Sequence, residues 1–111
     1  MNQHSSQLKT VWNKKPFLEQ MANIGSEVHR AINWKERGNL EYAQAAFVRS
    51  LELFDISKDS PLTRGQFKEL CRTRELWVDF FAYENLYSSN SLFFKKYFDL
   101  LTIAFRNKRL V

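Results

Sequence analysis

The sequence predicts an all-α protein built as an antiparallel, up-down four-helix bundle. Apolar residues recur at spacings of three and four in four separate segments, which is the periodicity of one helical face. No stretch alternates apolar and polar residues for long enough to indicate a strand. Only three Gly and two Pro occur in 111 residues, too few for a turn-rich sandwich or barrel. The 44% hydrophobic and 15% aromatic content is typical of a folded chain with a dry core.

The first helix is predicted from Pro16 to Arg37. Proline suits the first helical position because its missing N–H would have no partner there. One face is apolar and consists of Phe17, Met21, Ile24, Val28 and either Ala31 or Ile32. Gly25 interrupts this face and leaves room for a neighbouring helix to come close. Gly38 supplies the left-handed residue that ends the helix.

The second helix is predicted from Leu40 to Phe54, with Asn39 as its N-cap. Its apolar stripe consists of Ala43, Ala46, Phe47, Ser50, Leu51 and Phe54. Because only Gly38 and Asn39 separate the first two helices, we expect them to form a helical hairpin with antiparallel axes.

The third helix is predicted from Arg64 to Tyr83. Two capping signals compete at its start and both stay open: Thr63 with Gln66 as a capping box, or Ser60 with Pro61 at the first helical position. Its predicted core face consists of Phe67, Leu70, Cys71, Val78 and Phe81, with Trp77 beside it.

The fourth helix is predicted from Leu92 to Lys108, capped by Ser91 or Asn90. It carries two apolar faces: Phe94, Phe98, Leu101 and Phe105 on one, and Phe93, Tyr97, Leu100 and Ala104 on the other. A helix that is apolar over most of its circumference is either central in a bundle or shared with a partner. We therefore predict an interface at Phe93, Tyr97 and Leu100.

The domain prediction is a flexible N-terminal arm over 1–15, one helical-bundle domain over 16–108 and a short basic tail over 109–111. Cys71 is the one cysteine and cannot form an internal disulfide, which favours a reducing compartment. No apolar run reaches the roughly 18 residues that span a bilayer, and the polar N-terminus does not read as a secretory signal. We therefore expect a cytoplasmic protein without a membrane partner.

The chain is basic, with a formal charge of +5 and a pI near 9.5. The predicted basic surface of the third and fourth helices consists of Arg64, Lys68, Arg72, Lys95, Lys96, Arg106, Lys108 and Arg109. Basic residues interleaved with aromatic ones are typical of proteins that bind single-stranded nucleic acid. The alternative is a solvated surface with a mild charge excess, because acidic residues are interspersed along the chain.

Two charged residues fall on or beside apolar faces. Arg74 lies between Cys71 and Val78 on the third helix, and Glu27 flanks Ile24 and Val28 on the first. Since an unpaired buried charge is too costly to persist, we predict a buried ion pair between Glu27 and Arg74. Two alternatives are that Arg74 extends to water along its aliphatic stem, or that it binds an anion in a cleft.

No pattern of residues indicates catalysis or metal binding. His4 and His29 are the only histidines and have no second ligand at zinc spacing. Cys71 on an apolar face is most simply a small hydrophobic residue. Neither a Gly-rich phosphate loop nor a Ser-His-Asp set is present. The prediction is a protein with no cofactor, no metal and no enzymatic activity.

Four segments resemble a group of small, helical prokaryotic proteins without an assigned function: 24–31, 34–39, 46–53 and 70–75. The resemblance extends over 16–108 and implies a helical fold but no activity. More distantly, a bundle of this size resembles HEPN-type domains, which include RNases and partners of nucleotidyltransferases. Their catalytic Arg is followed within a few residues by His, whereas here His29 precedes Arg30. The resemblance therefore implies a catalytically inactive partner.

The functional prediction is a non-enzymatic interaction module that self-associates or docks on a protein partner through the fourth helix. The alternatives are a nucleic-acid-binding accessory protein, which would use the basic surface, and an inactive HEPN-like partner of a nucleotidyltransferase.

Overall fold

The computed structural model describes residues 9–110, with side chains up to residue 108. Its long helices are α1 (Phe17–Glu36), α2 (Leu40–Lys58), α3 (Arg64–Ala82) and α4 (Ser91–Leu110). Residues 9–13 are also helical, and the described part of the chain contains no strand. The all-α prediction is confirmed, and α2 continues beyond its predicted end at Phe54.

The first helix junction is built by local hydrogen bonds that the sequence predicted. Gly38 has a φ of 82°, and its N–H donates to Lys35 O at 3.0 Å while the Asn39 N–H donates to Trp34 O at 2.9 Å. This Schellman arrangement ends α1. The Asn39 side chain then accepts the Tyr42 N–H at 3.1 Å, so Asn39 caps α2 as expected.

The open alternatives at the later helix starts are also settled. Thr63 and Gln66 form the full capping box, with reciprocal bonds of 3.1 and 3.0 Å. The Ser60 hydroxyl instead donates to Ser57 O at 2.6 Å and to Gln20 Oε1 at 3.1 Å. At α4, the Asn90 side chain accepts the Phe93 N–H at 2.8 Å, so Asn90 is the cap.

The helices enclose one core. α1 packs along both α2 and α4, and α2 also packs against α3. α3 and α4 meet through aromatic rings, since the centroid of Phe94 lies 5.3 Å from that of Trp77 and 5.1 Å from that of Phe80. α1 and α3 share no comparably extended contact.

The core face of α3 differs from the predicted one. Leu70, Thr73 and Trp77 are its buried residues, whereas Phe67 is exposed and Cys71 and Val78 are only half-buried. Compared with the prediction, α3 is rotated about its axis so that Trp77 faces the core. Trp77 determines this orientation because it is the largest fully buried side chain and its N–H needs a buried acceptor.

Two serines of α2 accept the indole N–H groups of two buried tryptophans. The Trp77 Nε1–H donates to Ser50 Oγ at 2.9 Å, and the Trp12 Nε1–H donates to Ser57 Oγ at 2.7 Å. Both serines are fully buried on the same face of the helix. Hydroxyls are therefore tolerated in the apolar stripe because each one satisfies an indole that would otherwise be unpaired.

The N-terminal boundary requires a correction. The flexible arm was predicted to reach residue 15, but Trp12 belongs to the buried core. Gln20 holds this segment with its side-chain amide, which donates to Trp12 O and to Lys15 O, each at 3.2 Å. The short helix over 9–13 packs on the core because the Trp12 indole buries enough apolar area to anchor it. Residues 1–8 of the predicted arm lie outside the described residues.

α4 approaches α1 closely at Gly25, as the sequence predicted. A Cβ added at Gly25 would lie 2.8 Å from Phe98 Cβ and 2.9 Å from Phe98 Cδ1. We expect Gly25→Ala to lower the free energy of unfolding by about 1–3 kcal/mol, because relieving this overlap costs more than the helix propensity gained. Urea titration followed by circular dichroism measures the change.

Gly65 supplies the matched control, since an added Cβ meets nothing within 4 Å there. Gly65→Ala should raise the free energy of unfolding by up to about 1 kcal/mol. Equal effects of the two variants would contradict the close approach of α4 at Gly25.

Candidate functional site

One side of α4 exposes large apolar side chains to water. They are 41–67% exposed: Leu92, Phe93, Leu100 and Ile103. On the opposite side of the same helix, Phe94 and Phe98 are buried in the core. Lys96 lies between the exposed residues and is itself exposed. Leu92, Phe93, Lys96, Leu100 and Ile103 are called the outer α4 surface below, and apolar clusters of this kind are typical of interaction sites.

The predicted interface residues separate into two groups. Phe93 and Leu100 belong to the outer α4 surface, whereas Tyr97 turns toward α3 and is half-buried. The Tyr97 hydroxyl donates to Glu69 Oε1 at 2.8 Å and lies 3.1 Å from the Thr73 hydroxyl. Burial, assisted by Glu69, raises the pKa of Tyr97 to about 12. Tyr97 therefore joins α3 to α4 and offers only part of its ring to a partner.

The predicted interface and the predicted basic surface meet at Phe93. Arg72 and Leu76 of α3 line a shallow depression of about 320 Å³ together with Phe93 and the connection over 87–90. Phe93 also stacks on Tyr97, with ring centroids 6.2 Å apart and an interplanar angle of 16°. An aromatic ring beside an arginine thus marks the α3 edge of the outer α4 surface.

The predicted basic residues differ in their surroundings. Most are exposed and form no ion pair within the described part of the chain, namely Arg64, Lys68, Arg72, Lys96, Arg106 and Lys108. Lys95 differs, because its Nζ lies 3.5 Å from Glu36 Oε1. Lys108 borders a second depression of about 310 Å³ beside Phe17. The side chain of Arg109 lies outside the described residues.

The predicted ion pair between Glu27 and Arg74 is wrong in its partners. Glu27 is buried as expected, but its carboxylate accepts from Arg30 Nη1 and, at 3.0 Å, from Arg49 Nε. Arg74 Nε donates to Asp55 Oδ1 at 3.0 Å instead. The physical reason is the helix arrangement, because α1 packs along α2 and has no comparably extended contact with α3.

The sequence contained a signal for the true partner. Glu27 and Arg49 lie at nearly equal distances from the Gly38–Asn39 junction. Residues at equal distances from the turn of an antiparallel hairpin lie at the same level, so the predicted hairpin placed Arg49 near the level of Glu27. Whether the two side chains meet depends on how each helix is rotated about its axis. No comparable local signal indicated which acid Arg74 would meet.

Among residues 9–108, no group of three or more His, Cys, Asp and Glu side chains is arranged to hold a metal ion. No described helix is long and apolar enough to cross a membrane.

Comparison of the chain with protein-family models, with curated proteins and with solved structures finds no match in any of the three. The resemblances to the small prokaryotic proteins and to HEPN-type domains therefore stay predictions, and a proposal of function must rest on the chain's own residues.

Proposed function

We propose that this chain is a non-enzymatic interaction module that self-associates through the outer α4 surface. One observation carries the proposal: one side of α4 exposes Leu92, Phe93, Leu100 and Ile103 while its other side is buried in the core. Burying apolar surface contributes about 25 cal/mol per Å². A second copy that covers these residues would remove most of their contact with water.

Charge favours a second copy as the occupant. Lys96 and Asp99 are both exposed on α4, and Asp99 Oδ1 also lies 3.1 Å from His29 Nε2 of α1. In a two-fold symmetric contact, two copies of α4 run antiparallel, and if residue i of one copy contacts residue j of the other, then j also contacts i. Such a contact can place Lys96 of each copy against Asp99 of the other. The surface is then complementary to itself in charge as well as in apolar character.

We also propose that the four helices form the predicted up-down antiparallel bundle, which leaves α4 with one free side. Contacts between the start of one helix and the end of the next support it: Gln20 with Ser60 for α1 and α2, and Lys95 with Glu36 for α4 and α1. The same reversal stacks Phe47, in the first half of α2, on Phe81, near the end of α3.

The test is sedimentation equilibrium from low to high micromolar concentration. We expect dimers whose dissociation constant rises at least about tenfold in Leu100→Gln/Ile103→Gln, because two apolar anchors are lost from each copy. Leu40→Gln/Val48→Gln is the control, since these apolar side chains are 66 and 43% exposed, against 67 and 51% for Leu100 and Ile103, but lie on α2.

A charge exchange tests the orientation. Lys96→Glu should weaken the dimer by repulsion from Asp99, and Lys96→Glu/Asp99→Lys should restore it. A wild-type chain that stays monomeric at high micromolar concentration would overturn self-association.

The unpaired cations favour nucleic-acid binding as a second candidate function. Lys68, Arg72 and Lys96 have no acidic partner among the described side chains, and Arg72 adjoins Phe93. Phosphates would meet the cations while a base stacks on the ring. A monomer that binds single-stranded RNA at low salt, with affinity falling steeply as salt rises, would support this function instead.

A further inference from the structure

A groove of about 570 Å³ runs along α3, and no residue of the outer α4 surface lines it. Cys71 and Val78, two turns apart on α3, line its helical side. The connection between α3 and α4 forms one wall with Tyr83, Leu86 and Tyr87. This volume lies within the range of pockets that hold small organic ligands.

The connecting wall is held firmly in place. Asp79 is 8% exposed, and its carboxylate accepts the Leu86 N–H at 2.9 Å and the Tyr87 N–H at 3.1 Å. Asn85 and Ser88 adopt positive φ angles of 56° and 54°. The result is that Tyr83, Leu86 and Tyr87 remain 75, 77 and 55% exposed although the backbone beneath them is fixed. Large side chains presented by a strained and anchored backbone are typical of recognition sites.

The groove is more acidic than the rest of this basic chain. Its two cations, Lys58 and Arg74, both face the carboxylate of Asp55, at 3.7 and 3.0 Å. The lining acids are Glu75, Asp79 and Glu84, and none of them forms an ion pair with a described residue. The wall toward α2 is therefore neutralised, whereas Glu75 and Asp79 of α3 and Glu84 of the connection have no cationic partner among the described residues.

Tyr87 reports this negative field. Its hydroxyl donates to Glu75 Oε1 at 2.8 Å. This bond and the charge of Glu75, with a smaller contribution from Asp79, raise the pKa of Tyr87 above its ordinary value. The negative charge of Glu75 and Asp79 disfavours a phenolate at Tyr87. The same negative charge would stabilise a cation placed beside these groups.

We infer that this groove binds an organic cation with an apolar body. The apolar body lies on Cys71, Val78 and Leu86, and the cationic head lies against the tyrosine rings and the carboxylates of Glu75 and Glu84. Aromatic rings combined with acids are the usual means of recognising ammonium and guanidinium groups. The cation is either a free amine or a lysine beside an apolar residue in a partner segment, and both present the same chemistry.

The chain's single cysteine provides the measurement. Cys71 lines the groove, so an occupant should slow its modification by a neutral maleimide. We expect benzyltrimethylammonium to slow modification several-fold in a saturable manner. Benzyl alcohol, which is neutral, and phenylacetate, which is anionic, should give little protection at the same concentrations.

A pair of acid variants tests the recognition. Glu75→Gln/Glu84→Gln should require about tenfold more benzyltrimethylammonium for the same protection, because charge-assisted contacts are lost. Glu41→Gln/Glu52→Gln is the control, since both acids are exposed on α2 and do not line the groove. An acetylated Phe-Lys dipeptide amide that protects at lower concentration than the free cation would identify a protein segment as the source.

Three results would overturn the inference: equal protection by the alcohol, stronger protection by phenylacetate, or no protection by any of the three compounds. The test does not depend on self-association, because the maleimide assay is performed at low micromolar protein. At that concentration, Leu100→Gln/Ile103→Gln should show the same protection of Cys71 as the wild type.

Discussion

Trp77→Ala is expected to lower the free energy of unfolding by about 3–5 kcal/mol, the largest effect of any single substitution considered. Trp77 is fully buried and contacts the rings of Phe47, Phe81 and Phe94 at centroid distances of 5.7, 5.1 and 5.3 Å. Its removal creates a cavity at the contact of three helices. It also leaves the Ser50 hydroxyl without the indole N–H that it now accepts. Since small domains are stable by only about 5–15 kcal/mol, the variant should be near its unfolding threshold.

The measurement is urea unfolding followed by far-ultraviolet circular dichroism. Trp34→Ala is the control, because Trp34 is only half-buried and has edge contact with the exposed Tyr42. Its cost should be less than half that of Trp77→Ala. A loss below about 1 kcal/mol for Trp77→Ala, the average for point substitutions, would contradict the central position of this residue.

Arg30→Gln/Arg49→Gln is expected to cost about 3 kcal/mol or more, and more than Glu27→Gln. The Glu27 side chain is 12% exposed, so removal of both arginines leaves a buried carboxylate without a cation. The arginines are 58 and 52% exposed, so water can solvate them when Glu27 is replaced. Glu27→Gln should therefore cost only about 1 kcal/mol, the usual net value of a lost hydrogen bond.

A triple variant checks why replacing both arginines should cost more stability than replacing Glu27. Glu27→Gln/Arg30→Gln/Arg49→Gln should be more stable than Arg30→Gln/Arg49→Gln, because the isolated charge is gone. Arg64→Gln/Arg106→Gln is the matched control, since these two exposed arginines have no acidic partner among the described side chains. If the triple variant is the less stable of the two, the burial of an unpaired carboxylate is not the cause of the loss.

Helix boundaries and caps were predictable because their hydrogen bonds join residues a few positions apart. Gly38 and Asn39 form the α1–α2 junction as expected, and Thr63 with Gln66 forms the capping box that was one of two alternatives. The apolar face of α1 was also predicted, since four-residue spacing identifies it without knowledge of its neighbours.

The candidate sites were less predictable because they depend on how the helices face each other. Phe93 and Leu100, two of the predicted interface residues, lie on the outer α4 surface, but the sequence did not show that Tyr97 turns toward α3. Leu92 and Ile103 were missed because they fall outside the two apolar faces read from the sequence. The groove of Asp79 and Tyr87 was missed entirely, since a backbone–carboxylate anchor has no periodic signal.

The sequence by itself determined four amphipathic helices and the Gly38–Asn39 junction of the first two, because these follow from local spacing and short-range hydrogen bonds. Only the tertiary structure decided that Glu27 meets Arg49, that Arg74 meets Asp55 and that Trp77 rather than Val78 occupies the centre. Each α-helix can rotate about its axis by tens of degrees without losing its own hydrogen bonds. The rotation is chosen by packing across helices, where the largest ring and the buried charge find the partners that satisfy them.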